Sequence, residues 1–241
     1  MNYYLNSDFV FENFIVGSGN EFAFTVCRDV ASKLGVLYNP LIICGRIGCG
    51  KTHLMHAIGN YCMTQNNNLK IKATTSEFFV HEFITAIRNS CLDKFRASFA
   101  NIDLMLMDSI EFIANKVQSP EEFLHIYDSL MHEGRTQIIC TSDKEPALLN
   151  FNEALTSRLS SGLTVRVNEP DRKSKVDILM HYARKNEFGL NPDAAALLAE
   201  EASTPRELEG LLIQIKAYVE FHARHITLDY VQYVLSKTKG V

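Results

Sequence analysis

The sequence predicts an α/β fold, in which a parallel sheet carries helices on both faces and is followed by a small all-helical domain. Three observations predict it. A glycine-rich loop joins a strand-like run to a helix-like run, further strand-like runs alternate with helical stretches, and strand patterns end at Glu169-Pro170. Strands that alternate with helices pair in parallel and are covered on both faces. We therefore expect an α/β domain over residues 1–169 and a helical domain over residues 170–241.

The first predicted strand is the apolar run Leu41–Cys44, which leads directly into the glycine-rich loop at residues 45–52, GRIGCGKT. This loop fits the pattern G-x-x-x-x-G-K-[ST], and an amphipathic helix begins at Lys51. Glycines let successive backbone N–H groups point at a polyphosphate, and the helix N-terminus adds a positive dipole. Lys51 is predicted to reach the outer phosphates and Thr52 to ligate Mg²⁺. The sequence therefore predicts that the chain binds a nucleoside triphosphate.

Four more strand-like runs follow the loop, and helical stretches separate them. The strands are predicted at residues 69–74, 102–108, 137–141 and 163–167, and the helices at 77–88 and 121–132. After Asp171 apolar residues recur only at helical spacing, which is typical of the core of a helical bundle. Examples are Leu208, Leu211, Ile215 and Val219.

A triphosphate site also needs an acid at the end of a buried strand, and Asp108 follows the run LMLM. We predict that Asp108 holds the magnesium shell; the alternative is a plain turn-forming aspartate. Hydrolysis further needs a group that orients and polarises the attacking water, yet position 109 is Ser. Glu111 could substitute from two residues further on, although a glutamate in such a loop is more often solvated.

Three more residues are candidates for contacts with phosphate. Asp143 ends another central strand, at the edge where parallel sheets bind ligands, although it could instead cap a turn. Arg158 precedes the last strand, where a surface salt bridge is the alternative. Arg206 lies in the first turn of a helix that the capping box TPRE opens, from which it could reach phosphate.

The amino-acid composition limits which binding partners and which cellular compartment are expected. The net charge is −4 with a pI near 6.1, which excludes a broad cationic face for tight duplex binding but leaves weak nucleic-acid contact open. The six cysteines are scattered and form no C-x-x-C pair, which favours reduced core cysteines over disulfides or zinc ligands. The apolar runs are too short for a membrane segment, and the N-terminus has no signal pattern. We expect a soluble, cytoplasmic protein.

Together these residues resemble the AAA+ ATPase core of the bacterial DnaA family of replication initiators, which includes the stand-alone regulator Hda. The resemblance runs from about Phe9 to the C-terminus. The motifs that carry it are FENF with VG at residues 11–17, YNPL at 38–41, GKTHL with HAIGN at 50–60, QSPEEF at 118–123, TSD at 141–143, SRL with GL at 157–163, and RELEG at 206–210.

The resemblance implies roles for individual residues. Asp143 is similar to the family's first sensor and Arg206 to its second, while Arg158 resembles the arginine finger given to a neighbouring subunit. Lys51 and Asp108 complete the set of residues expected to act on the triphosphate, with Mg²⁺ held through Thr52 and Asp108. The residues expected to bind ATP or ADP are Ile15, Val16, Gly45, Ile47, Gly48, Cys49, Gly50, Lys51, Thr52 and His53.

The implied function is ATP-dependent self-assembly that promotes or regulates opening of the replication origin. Origin DNA, single-stranded and weakly bound by this chain alone, is the implied nucleic-acid partner, and a helicase or initiator is a further one. The chain departs from the family at Ser109, where a second acid is usual, and at Gln118, where a basic residue is common near Lys116. Slow or impaired hydrolysis is therefore expected. The alternative is an Hda-like module that senses ATP or ADP without turnover.

Overall fold

The computed structural model describes residues 5–132, 134, 136–222 and 228–238. The chain divides into two compact units. As far as it is described, the first comprises Met1–Phe14, Phe22–Arg46 and Gly50–Val167, and the second comprises Ile15–Glu21, Ile47–Cys49 and Asn168–Val241. Two short segments from the N-terminal half thus group with the helical unit, which a division at 169/170 does not anticipate. The domain bounds 1–169 and 170–241 stay a prediction.

The first unit is built on a five-stranded sheet in which every neighbouring pair is parallel. The strands are β1 (Leu41–Cys44), β2 (Ile71–Thr75), β3 (Leu104–Asp108), β4 (Gln137–Ser142) and β5 (Leu163–Arg166), in the order β2-β3-β4-β1-β5. Every residue of β1, β3 and β4 is buried, as expected for strands covered on both faces. The predicted parallel sheet is confirmed, with strand ends within about two residues of the predicted ones. The carboxyl ends of β3, β4 and β1 therefore lie side by side.

In the described part of the first unit, seven α-helices connect and cover these strands. They are α1 (Glu21–Ser32), α2 (Lys51–Gln65), α3 (Ser76–Arg88), α4 (Leu92–Ala97), α5 (Glu111–Ala114), α6 (Ser119–His132) and α7 (Glu153–Ser160). The amphipathic helix predicted at Lys51 is α2, whose Leu54, Ile58 and Cys62 are buried. Against β3 and β4, the aromatic rings of Phe79, Phe95, Phe99 and Phe123 pack edge to face in one core cluster. Each buried ring stabilises the fold by about 1.5–3 kcal/mol relative to an exposed one.

Within its described residues, the second unit contains the helices α8 (Arg172–Lys185), α9 (Pro192–Glu201), α10 (Pro205–His222) and α11 (Leu228–Thr238). Side chains fix where the first two begin: Asp171 accepts from Ser174 N at 2.8 Å, and Asn191 accepts from Asp193 N at 2.8 Å. Leu208 and Ile215 of α10 are buried in the core of this unit, in agreement with their helical spacing. The side chain of Val219, predicted to join them, lies outside the described part of the structure.

Two further sequence expectations concern cysteine and the membrane. Five of the six cysteines are buried and Cys91 is partly buried. In the described part of the chain, no helix combines the length and the apolar character needed to cross a lipid bilayer.

Candidate nucleotide site

The glycine-rich loop begins at Gly45, directly after β1. Its N–H donates to Ser142 O at 3.2 Å, so the start of the loop is tied to the end of β4. Gly45 has φ +153°, and a Cβ at this position would lie only 2.2 Å from Val167 O. A side chain here would collide with the backbone that follows β5. The first glycine of the motif is therefore required by the close approach of the two chain segments.

The loop ends at Gly50, which is the residue that starts α2. Gly50 has φ +102°, a left-handed conformation that favours glycine, and its carbonyl accepts the helical hydrogen bond from Leu54 N at 3.1 Å. No side chain caps this helix start in the described structure. The first turn of α2 thus presents the positive end of the helix dipole at the loop, as in an anion site at a helix N-terminus.

Lys51, the first residue of α2, is 8% exposed and folds back over the loop. Its Nζ donates to Gly45 O at 2.7 Å and to Arg46 O at 3.1 Å. These two bonds hold the ammonium group inside the curve of the loop, where the predicted phosphates would lie. The geometry is what a lysine needs to act as a point charge on phosphate.

Thr52 and Asp108 meet at the end of β3. Thr52 Oγ1 lies 3.1 Å from both carboxylate oxygens of Asp108, and the Thr141 hydroxyl donates to Asp108 Oδ1. Hydroxyl and carboxylate oxygens are hard donors that suit Mg²⁺. The described residues contain no group of three or more His, Cys, Asp or Glu side chains arranged for a metal. These oxygens fit a magnesium ion that takes its remaining ligands from nucleotide and water.

Thr141 is a residue of this site that the sequence analysis did not assign. Its hydroxyl donates to Asp108 and accepts from Ser109 N at 2.8 Å, so it fixes the end of β3 from the neighbouring strand. The available signal was its place in the strand that leads to Asp143, next to the end at which that residue was predicted to contact phosphate.

Ser109, Glu111 and Asp143 lie next to one another at the same edge of the sheet. Ser109 has φ +60°, a conformation uncommon for residues other than glycine, and it turns the chain from β3 into α5. Glu111 in the first turn of α5 then accepts from Asp143 N through Oε2, at 3.4 Å. Asp143 Oδ1 is buried and has no hydrogen-bond partner among the described residues. The sequence left open whether Glu111 is solvated, and the structure shows it partly buried against Asp143.

The second unit contains Ile47, Gly48 and Cys49 of the loop together with Arg206. Gly48 has φ +86°, and a Cβ built on it would lie 2.9 Å from Thr204 Oγ1 and 3.1 Å from Arg206 Cβ. The predicted capping box of α10 is present, since Glu207 N donates to Thr204 Oγ1 at 3.3 Å and Glu207 Oε2 accepts from Thr204 N at 3.2 Å. This cap places Arg206 in the first turn of α10, beside Gly48.

The residues predicted to bind the base lie in different units. His53 belongs to the first unit, where its Nε2 lies 2.8 Å from Val10 O and its ring stacks on Phe9 with centroids 4.8 Å apart. Ile15 belongs to the second unit and packs against the core of the helices, while Val16 is 41% exposed. A role of these three residues in binding adenine stays a prediction.

Arg158 lies in α7, and its contacts differ from those of the other candidates. Its Nε donates to Asp128 Oδ1 of α6 at 2.8 Å, with the two side chains 54% and 47% exposed. The salt bridge that the sequence analysis named as the alternative is therefore present. An exposed pair of this kind contributes only about 0.2–1 kcal/mol, so it leaves the guanidinium available to another partner.

Comparison with known proteins identifies the family. The family model for the bacterial DnaA ATPase domain matches residues 5–166, which is more than half of the chain. The chain belongs to the bacterial DnaA ATPase family. It is accordingly an AAA+ domain of the type that initiates replication.

Solved structures of DnaA resemble the whole of the described fold. Domain III of the replication initiation protein DnaA from Thermotoga maritima is 32% identical, with a TM-score of 0.92 and 98% of each chain covered. The replication initiator DnaA bound to AMPPCP and single-stranded DNA is 30% identical, with a TM-score of 0.81, covering 92% of this chain and 70% of that one. AMPPCP-bound DnaA from Aquifex aeolicus is 31% identical, with a TM-score of 0.81, covering 89% and 66%. The AAA+ fold predicted from the sequence is confirmed.

Proposed function

We propose that this DnaA-type chain binds ATP with Mg²⁺ and that ATP, rather than ADP, licenses its assembly at a replication origin. The observation that carries the proposal is the arrangement of Lys51, Thr52 and Asp108 at the N-terminus of α2. The DnaA structures with AMPPCP, a nucleotide analogue, support it, because the chain shares their fold and about 30% of their residues.

In this proposal the residues of the site contact different parts of the nucleotide. The N–H groups at the start of α2 and the Lys51 ammonium bind the phosphates. Thr52 and Asp108 hold Mg²⁺, which when bound neutralises charge on the β- and γ-phosphates. Asp143 and Arg206 report the presence of the γ-phosphate, and Ile15, Val16 and His53 contact the base.

Assembly depends on Arg158 acting in trans. A guanidinium that needs the γ-phosphate of a neighbouring copy as its partner makes contact in the ATP state and loses it in the ADP state. Opening the Asp128–Arg158 pair costs about 0.2–1 kcal/mol, which a bidentate contact with phosphate would exceed. The half-exposed position of Arg158 supports this role.

Single-stranded DNA is the nucleic-acid partner in this proposal. A related DnaA was solved with single-stranded DNA, and the loop before α6 is where the resemblance puts that contact. Val117 in this loop is 92% exposed, and Lys116 Nζ lies 4.3 Å from the centroid of the Phe112 ring. The Lys116 ammonium suits contact with the phosphate backbone, and the exposed Val117 offers apolar surface beside it. A helicase or initiator partner remains part of the proposal.

A second candidate function is an Hda-like regulatory module that senses ATP or ADP and never turns over. Ser109 favours it, because a hydroxyl at the end of β3 cannot act as a carboxylate base toward water. Its backbone N–H is already used by Thr141. Both candidates require nucleotide binding, and they differ in whether phosphate is released.

Nucleotide affinity tests the proposal. We expect Lys51→Ala to weaken binding of a fluorescent ATP analogue roughly 10- to 150-fold, since a hydrogen bond to a charged group contributes about 1.5–3 kcal/mol. Circular dichroism should show an unchanged fold, and the exposed Lys33→Ala, outside the loop, serves as the matched control. Unchanged affinity in folded Lys51→Ala would refute the proposed site.

A further inference from the structure

The end of β3 and the end of β4 bring together two carboxylates, on Glu111 and Asp143. The left-handed Ser109 and the bond from Ile110 N to Thr141 O, at 3.0 Å, turn the chain sideways toward β4. This turn aims the first turn of α5 at the end of β4, where Glu111 Oε2 meets Asp143 N. Glu111 is thereby held at the edge of the sheet rather than in solvent.

A short series of contacts connects this carboxylate pair to the phosphate loop. Asp143 follows Ser142, whose carbonyl accepts from Gly45 N at 3.2 Å, and Gly45 O in turn accepts from Lys51 Nζ at 2.7 Å. Burial raises the pKa of Glu111, and the positive charge of Lys51 offsets a small part of this rise. Glu111 thus lies in the field of the ammonium group that is proposed to hold the outer phosphates.

The surroundings of Glu111 favour a basic carboxylate. Burial is the main cause that raises its pKa above the usual value, and the negative charge of Asp143 raises it further, against the opposing effects of backbone N–H groups and Lys51. A carboxylate with a raised pKa is a better proton acceptor near neutral pH. Beside it, Asp143 Oδ1 is a buried acceptor without a partner among the described residues.

We propose that Glu111 is the group that orients and deprotonates the attacking water in ATP hydrolysis, two residues beyond the position where Ser109 offers only a hydroxyl. The inference rests on the proposed ATP site. One proton of the water passes to Glu111 while the water oxygen bonds to the γ-phosphorus. The bond from that phosphorus to the bridging oxygen of ADP breaks, and ADP keeps the electron pair. The proton then leaves Glu111 for phosphate or solvent.

A purely structural role for Glu111 makes a different prediction. If Glu111 serves only as the acceptor for Asp143 N, the isosteric Glu111→Gln keeps that bond, because the amide oxygen also accepts. Turnover would then stay close to that of the parent chain. If Glu111 accepts a proton, Gln removes this function and leaves the local structure unchanged.

The test measures ATP affinity and single-turnover phosphate release on the full chain. We expect Glu111→Gln to keep ATP affinity within about twofold and to lower the rate on the order of 10²–10⁴-fold, as for loss of a general base. The exposed Glu77→Gln, also in the first turn of a helix, should change neither value. Adding Ser109→Asp to Glu111→Gln should restore part of the rate, since it returns a carboxylate to the end of β3.

The outcomes separate this inference from the proposed function. If Glu111→Gln binds ATP and hydrolyses it at the parental rate, the proposed role of Glu111 is wrong, and the proposed ATP site is unaffected. A parent chain that binds ATP but releases no phosphate overturns that role as well. A parent chain that does not bind ATP overturns the proposed function itself.

Discussion

At the scale of single residues, the phosphate loop holds its shape through its own contacts. The Lys51 ammonium binds two carbonyls of the loop, and the Thr52 hydroxyl binds Asp108. Hydrogen bonds to an ionised group contribute more than neutral ones, so these contacts keep the donors in place before a ligand arrives. Ligand phosphates would then take the place of the carbonyls on Lys51, with little reorganisation of the backbone.

Ser109 is the residue at which an added carboxylate should raise turnover. We expect Ser109→Asp to raise phosphate release roughly tenfold to a hundredfold, less than the ~10²–10⁴ of a general base because Glu111 already contributes. Aspartate tolerates the left-handed φ of +60° at this position better than most residues, so the fold should be kept. Ser90→Asp is the matched control, since Ser90 is exposed and also has a positive φ of 49°.

The sequence could predict several residues of the site but not all of their contacts. Lys51, Thr52 and Asp108 follow from a fixed pattern and from the rule that acids end buried strands. For Glu111 the sequence left two alternatives open, and it did not assign Thr141, because the place of the first depends on an unusual φ at Ser109 and that of the second on pairing between β3 and β4. Neither a left-handed serine nor a strand order can be read from local pattern.

At the level of secondary-structure elements, the strands and several longer helices were predictable, whereas α1 and the shortest helices were not predicted. All five strands and the helices α2, α3 and α6 follow from apolar runs and spacing. The helices α4 and α5 have six and four residues, too few to show a helical period. Missing α5 mattered for the site, because this short helix carries Glu111 to the end of β4.

The start of α8 gives the second unit a dependence on pH. Asp171 caps this helix by accepting from Ser174 N and also accepts from Ser18 Oγ at 2.7 Å, and these bonds lower its pKa to about 2. A carboxyl whose pKa is lowered on folding stabilises the native state above its unfolded pKa near 3.8, and this contribution is lost as the pH falls toward 2.

We therefore expect the parent chain to lose stability relative to Asp171→Asn as the pH falls from 6 to 3, since asparagine still caps the helix but does not titrate in this range. The measurement is the free energy of unfolding by urea at several pH values for both proteins. Above about pH 5 the difference between them should be constant. A difference that does not change with pH would contradict the cap described here.

At the scale of the whole molecule, the proposed function needs a second copy of the chain. The Arg158 guanidinium contacts Asp128 and none of the phosphate-loop residues in the described contacts. In the proposed function it completes a nucleotide site on another copy. The net charge of −4 is compatible with copies that associate through such specific contacts rather than through general attraction to DNA.

Replacing Arg158 should separate nucleotide binding from assembly. We expect Arg158→Ala to bind ATP like the parent chain and to assemble roughly 10- to 150-fold more weakly with ATP, given about 1.5–3 kcal/mol for hydrogen bonds to a charged group. The matched control is Arg172→Ala, which also removes an exposed ion pair, with Glu200 at 2.7 Å. Light scattering at several protein concentrations gives the comparison. If Arg158→Ala and the parent chain assemble equally with ATP, Arg158 does not act as an arginine finger in trans.

Sedimentation velocity of the parent chain, with saturating ATP, ADP or AMPPCP in the presence of Mg²⁺, measures whether assembly depends on the γ-phosphate. We expect larger species with ATP and AMPPCP and a monomer with ADP, because only the triphosphate offers a γ-phosphate to Arg158 of a second copy. The same sedimentation coefficient in all three nucleotides, at concentrations where each is bound, would contradict this expectation.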